Sequence, residues 1–198
     1  MLLILGPQQM KMQVSWIGPY FWPGFQEING LSELPAFPGV YLWTVEYLSG
    51  YLIYAAGLTR RRFRVRFKEH TGKYLAGEYT VLNISEMQVG RRLEVWHGWG
   101  WTPAKRAQFA ERQTEIREAA NRQLAGFRVF VANVETSGRV PERLEAAIMT
   151  HLYHEAPPLC DVPDRGMMLA PRRKTEEPIT VWNICESKLH GLPASFTI

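Results

Sequence analysis

The feature that most constrains this chain is a pair of short β-prone runs flanking a turn, followed at once by an arginine-heavy stretch. Gly39-Val40-Tyr41-Leu42-Trp43-Thr44-Val45, preceded by Pro38, is rich in β-branched and aromatic residues. The second run is Tyr51-Leu52-Ile53-Tyr54-Ala55-Ala56, with Ser49-Gly50 between the two. Two such runs around turn chemistry predict an antiparallel hairpin. A lone hairpin is marginal in water, so the rest of the chain must cover it. After Gly57-Leu58, Thr59 predicts an N-cap. A helix is then expected from Arg60 to His70, with Phe63 and Phe67 four apart on its inner face and Thr71-Gly72 ending it.

Further elements follow. Leu93–Trp96 alternates as a strand does. Thr102 as cap and Pro103 at the first position announce a long helix that Gly126 stops. Phe127–Ala132 reads as a third strand, Ser137-Gly138 as a turn, and Pro141 as the start of another helix. In that helix Leu144, Ile148 and Leu152 recur every four residues, which predicts a buried stripe. Ile179–Trp182 reads as a late strand. The first 37 residues, with WIGPYFWPGF among them, read as irregular packed structure. The expected fold is α+β: a small antiparallel or mixed sheet with a β-hairpin and flanking helices. At 198 residues the chain predicts a single domain. Residues 37–160 form its expected core, interrupted by an insertion at about 74–126, and 161–198 a C-terminal extension.

Hydrophobic residues make up 46% and charged residues 21%, enough to bury a core and remain soluble. The net charge of +4 matters less than its placement: Arg60, Arg61, Arg62, Arg64, Arg66 and Lys68 crowd one stretch. A basic cluster points to a polyanionic partner, and a solvated helix face is the plainer alternative. Cys160 and Cys185 show no metal or redox spacing and read as reduced thiols of a cytoplasmic protein. The start, MLLILGPQQMK, is too short for a membrane span or signal peptide and is expected to pack into the fold. His97, His151, His154 and His190 form no ligand set, and Trp96, Trp99 and Trp101 read as a packed aromatic corner more than a base-stacking platform.

The chemistry-bearing residues belong to the strongest elements. Tyr41 and Tyr54 approach each other if the hairpin forms; Arg66 and His70 share one helix face; Glu145 comes from the later helix. Such a set fits phosphodiester cleavage. A carboxylate can hold Mg2+, a guanidinium matches the transition-state oxygens, and a phenol or imidazole can take a proton from water. Glu142 competes with Glu145 but stands in the first turn, where a carboxylate answers the helix dipole. Arg60, Arg61, Arg62, Arg64, Lys68 and Lys73 are candidate phosphate contacts.

These residues resemble the GIY-YIG nuclease family. Gly39-Val40-Tyr41 stands where the family has its first tripeptide, and Tyr54-Ala55-Ala56-Gly57 where it has the second, with one extra residue that either marks a bulge or shifts the glycine. Arg66-Phe67-Lys68-Glu69-His70 keeps an Arg-x-x-x-His spacing, and Leu144-Glu145 stands on the helix of the metal-binding carboxylate. Where many members have an asparagine after that helix, this chain has Asp161. The resemblance implies a metal-dependent endonuclease hydrolysing DNA, a restriction endonuclease for instance. Its catalytic residues would be Tyr41, Tyr54, Arg66, His70 and Glu145, with Mg2+ or Mn2+ on Glu145 and a homodimer to cut both strands. A catalytically inactive nucleic-acid-binding module, and a nuclease for single strands or RNA, stay open as alternatives.

Overall fold

The computed structural model describes residues 10–25, 30–135 and 138–198. The apolar run before Met10, and Ser137 of the expected turn, lie outside them.

The hairpin forms as expected: β2 (Gly39–Tyr47) pairs antiparallel with β3 (Gly50–Thr59). The turn residues are Leu48-Ser49, one position earlier than expected. Leu48 takes up the positive φ, 48°, with its side chain 80% exposed, which leaves Gly50 to begin β3. In the pairing, Trp43 faces Ala55 while Thr44 faces Ile53, so Tyr54 is the extra residue of a β-bulge.

The sheet is larger than the expected one. Seven strands run β8-β3-β2-β6-β1-β7-β9, where β1 is Met10–Phe21, β6 Phe127–Ala132, β7 Ile179–Cys185, β8 Leu189–His190 and β9 Ser195–Thr197. β1–β7 and β3–β8 are parallel and the other pairs antiparallel. The fold is therefore α+β with a mixed sheet. The main correction concerns the N-terminal residues. Met10–Phe21 form a central strand, with Val14 and Trp16 buried and Gln13, Ser15 and Ile17 exposed in strict alternation. The Gly18-Pro19 and Pro23-Gly24 pairs hide this pattern, because they read as loop punctuation beyond it. The C-terminal residues are likewise part of the sheet and not an appendage.

Two hydrophobic layers flank the sheet. On one face α1 (Phe63–Leu75) and α4 (Gln113–Gly126) cover an aromatic core of Trp22, Trp43, Tyr54, Phe63, Phe67 and Phe127. On the other, α5 (Val140–His154) buries the predicted stripe Leu144, Ile148 and Leu152, each fully. At about 25 cal/mol per Å2 of apolar area, residues buried this completely contribute on the order of 2 kcal/mol each. A two-stranded ribbon of β4 (Val81–Leu82) and β5 (Glu94–Trp96), α2 (Ile84–Met87) and α3 (Pro103–Glu111) complete the segment expected as an insertion.

Helix limits shift for identifiable reasons. Thr59 remains in β3, and its hydroxyl accepts from Arg61 N at 3.1 Å before the helix begins. The helix then runs through Thr71-Gly72 to Leu75, because carrying on for another turn buries Tyr74, 1% exposed. That burial outweighs the roughly 1 kcal/mol cost of a helical glycine. The long helix after Thr102 is two helices, broken at Arg112, where φ and ψ are −107° and 14°. Thr102 caps the first as expected, accepting from Lys105 N at 3.2 Å.

Candidate functional site

Among the described residues, strand β3 has a strand partner on its outer side only at Tyr51 and Leu52, where β8 pairs with it. Beyond that point its backbone finds other partners: Asp164 N donates to Tyr54 O at 3.0 Å, and Ala56 N points to Met149 Sδ at 3.0 Å. At this open edge α1, α5 and the segment around Asp164 surround a cavity of about 400 Å3. Tyr41, Arg66, His70 and Glu145 all line it. Four of the five expected catalytic residues thus come together from three elements.

Tyr41 is 3% exposed, and its phenol oxygen lies 2.8 Å from His70 Nε2. The other ring nitrogen, Nδ1, lies 3.1 Å from the Tyr79 hydroxyl. Trp43 packs perpendicular to the imidazole, with centroids 4.6 Å apart. Burial, reinforced by the charge of Arg66, pushes the His70 pKa down to about 3, so the ring is neutral. Burial raises the Tyr41 pKa far above the usual phenol value, against a lowering by the charge and hydrogen bond of Arg66. Tyr41 therefore rests as a neutral phenol.

Arg66 is held from behind by Glu69, with 3.3 Å between Nη1 and Oε2, and 34% of its side chain stays exposed on the cavity. Glu145 lies across from it. Burial, and secondarily the charge of Glu142, lifts its pKa to about 7, while Arg66 opposes the shift. Among the described residues its carboxylate makes no hydrogen bond or ion pair. A half-buried, unpartnered carboxylate facing a cavity is the donor a hard cation seeks, and Mg2+ needs only one or two because it keeps its waters. No group of three or more metal-ligating side chains occurs among the described residues. The site therefore fits a hydrated Mg2+ or Mn2+ on Glu145 and not a full protein cage.

Tyr54 is placed elsewhere. The bulge turns it into the core, 1% exposed and stacked at 6.5 Å on Trp43. The β3 residues that line the cavity are Ala55, Ala56 and Gly57. Asp161 is also outside it, exposed and bonded to Cys160; the aspartate that reaches the cavity is Asp164, whose pKa burial raises. Of the basic cluster, only Arg66 lines the cavity. Arg60 pairs with Glu142, Arg61 with Glu69, Arg64 with Glu33 and Lys73 with Glu78, while Arg62 and Lys68 are exposed and make no ion pair among the described residues.

Several lining residues carry no sequence signal. Tyr79 precedes β4 in a stretch without clear period. Trp99 belongs to the expected aromatic corner, yet only Trp96 and Trp101 pack as expected; Trp99 is 40% exposed and stacks on Tyr79 at 6.1 Å. Gly166 lies against the indole so closely that a Cβ would meet its ring at 2.4 Å. Met167 and Met168 extend this apolar wall. Trp43 Nε1 is a buried donor without an acceptor among the described residues.

Compared with known proteins, the chain matches no family model, no curated protein and no solved structure. No helix among the described residues is long and apolar enough to cross a membrane. The geometry of the cavity and the resemblance of its motifs therefore carry the functional reading.

Proposed function

We propose that this chain is a GIY-YIG-like, metal-dependent endonuclease that hydrolyses the phosphodiester backbone of DNA. One observation carries the reading: a guanidinium, a phenol bonded to a neutral imidazole, and an unpartnered carboxylate face one cavity at the sheet edge. A divalent cation on Glu145 supplies charge neutralisation at the scissile phosphate.

The side chains do the remainder. Arg66 donates to the non-bridging phosphate oxygens, whose charge grows in the transition state. Tyr41 orients the attacking water and takes its proton while giving its own to His70 Nε2. A new bond joins phosphorus to the water oxygen, the bond to the leaving oxygen breaks, and that oxygen is protonated by solvent. The wall of Trp99, Met167 and Met168 accepts the base or sugar beside the phosphate. Arg62 and Lys68, both exposed, extend the phosphate track outside the cavity.

The absence of Tyr54 from the cavity favours one second reading: a binding module of the same design that does not cut. Supercoiled plasmid incubated with the protein and Mg2+ or Mn2+, with a chelator control, separates the two. Metal-dependent nicking that Arg66→Ala and Glu145→Ala abolish supports the nuclease. Salt-sensitive binding without cleavage of plasmid, single strands or RNA supports the module.

A further inference from the structure

The hydrogen bonds around His70 determine where its single proton resides. Tyr41 is buried, so its one O–H needs an acceptor. Its polar neighbours are Arg66, which only donates, and His70 Nε2 at 2.8 Å. The phenol therefore donates to Nε2, which must be bare. The ring is neutral, so its proton is on Nδ1, 3.1 Å from the Tyr79 oxygen. That oxygen accepts, which leaves the Tyr79 O–H directed away from the ring. Tyr79 is itself held by Trp99 against its face, Tyr74 edge-on at 5.1 Å and Lys73 Nζ at 5.7 Å from its centroid.

We propose that Tyr79 is the positioning residue of this site: accepting from Nδ1–H, it fixes the imidazole tautomer whose bare Nε2 receives the Tyr41 proton. Tyr79, and not Tyr54, is then the cavity's second working phenol. The inference rests on the nuclease reading and completes its proton path. The water proton goes to Tyr41, the Tyr41 proton to Nε2, the Nδ1 proton to Tyr79 and the Tyr79 proton to solvent. No charged imidazolium has to form in a pocket that disfavours one. Every phenol ends with one proton and the imidazole with one, now on Nε2, and exchange with solvent resets it.

The test has two arms. Nitrogen-15 spectra of histidine-labelled protein read the His70 tautomer directly, and plasmid cleavage reads catalysis. We expect wild-type His70 to be protonated on Nδ1, and Tyr79→Phe to shift the ring toward the Nε2–H form. The same variant should lower kcat by about 100-fold, the lower end of a general acid–base contribution, with KM within about twofold. Wild-type His70 protonated on Nε2 overturns the inference without need of any variant. Unchanged imidazole shifts or unchanged kcat in a folded Tyr79→Phe protein overturn it as well. A wild-type protein that cuts nothing while His70 shows the Nδ1–H form overturns the nuclease reading and the catalytic role, and leaves the hydrogen-bond assignment standing.

Discussion

Tyr41 and Gly57 are cross-strand partners, and a Cβ added at Gly57 would come within 2.4 Å of the Tyr41 hydroxyl oxygen. The phenol lies flat over the one residue that has no side chain to displace it. Gly57→Ala should therefore push Tyr41 off His70. Overpacking of this kind costs about 1–3 kcal/mol. The expected result is a folded protein with lowered melting temperature and cleavage reduced by about 100-fold, read by calorimetry and plasmid nicking.

The two tyrosines of the hairpin should separate cleanly on mutation. Tyr54→Phe removes a buried hydroxyl and should cost about 1 kcal/mol, or roughly 2–4 °C, with kcat within about twofold. Tyr41→Phe should lower kcat by about 100-fold or more, with a loss of melting temperature of similar size because its hydroxyl is also buried and bonded to His70. Equal losses of kcat in both variants would contradict the placement of Tyr54 in the core.

Glu145 links cation binding to stability. Its folded pKa, about 7, is raised, so it favours the folded state below its ordinary value of 4.5, and that contribution is lost as pH rises through 7. At pH 8 the half-buried carboxylate is ionised, and Mg2+ should raise the melting temperature of the wild type by several degrees. Glu145→Gln should melt at the same temperature with and without Mg2+.

His70 acts in the opposite sense. Its folded pKa, about 3, is depressed, so the stability tied to its neutral form is fully present above its ordinary value of 6.5 and drains away as pH falls toward 3. Melting temperatures between pH 7 and 4, measured in a Glu145→Gln background to remove the opposing carboxylate, should fall less steeply once His70→Asn is added. Parallel curves would contradict the burial of a neutral imidazole.

Trp99 offers a partly exposed ring at the cavity mouth. Trp99→Ala should weaken binding of a short single-stranded oligonucleotide by about 5- to 100-fold, the range for one stacked base, and alter the melting temperature little. Unchanged affinity would remove this wall from the substrate path.

The local signals read well where they were strong. The hairpin, β6, the stripe on α5 and the Thr102 cap all lie where period and capping chemistry put them. β1 was missed because its alternation runs into Gly18-Pro19, and its burial is decided by partners more than 100 residues away, Val131 and Ile179 among them. Tyr54 illustrates the limit at the site. Counting residues places it beside Tyr41, but a one-residue bulge hands the cavity to Ala55 and the core to Tyr54. Tyr79 and Trp99 reach the site through irregular backbone, which has no period to count.

The place of β1 between β6 and β7 also orders the chain's life on the ribosome. Tyr41, Arg66, His70 and Glu145 have all been translated before Ile179 of β7 begins to emerge. Until it does, β1 has a bare edge, and Trp16 lacks the Asn183 side-chain oxygen, Oδ1, to which its indole donates at 3.0 Å. Contacts this distant in sequence form last and slowly. A nascent chain thus carries Tyr41, Arg66, His70 and Glu145 for some time before the sheet is complete, so the order of synthesis itself delays closure of the β1 edge.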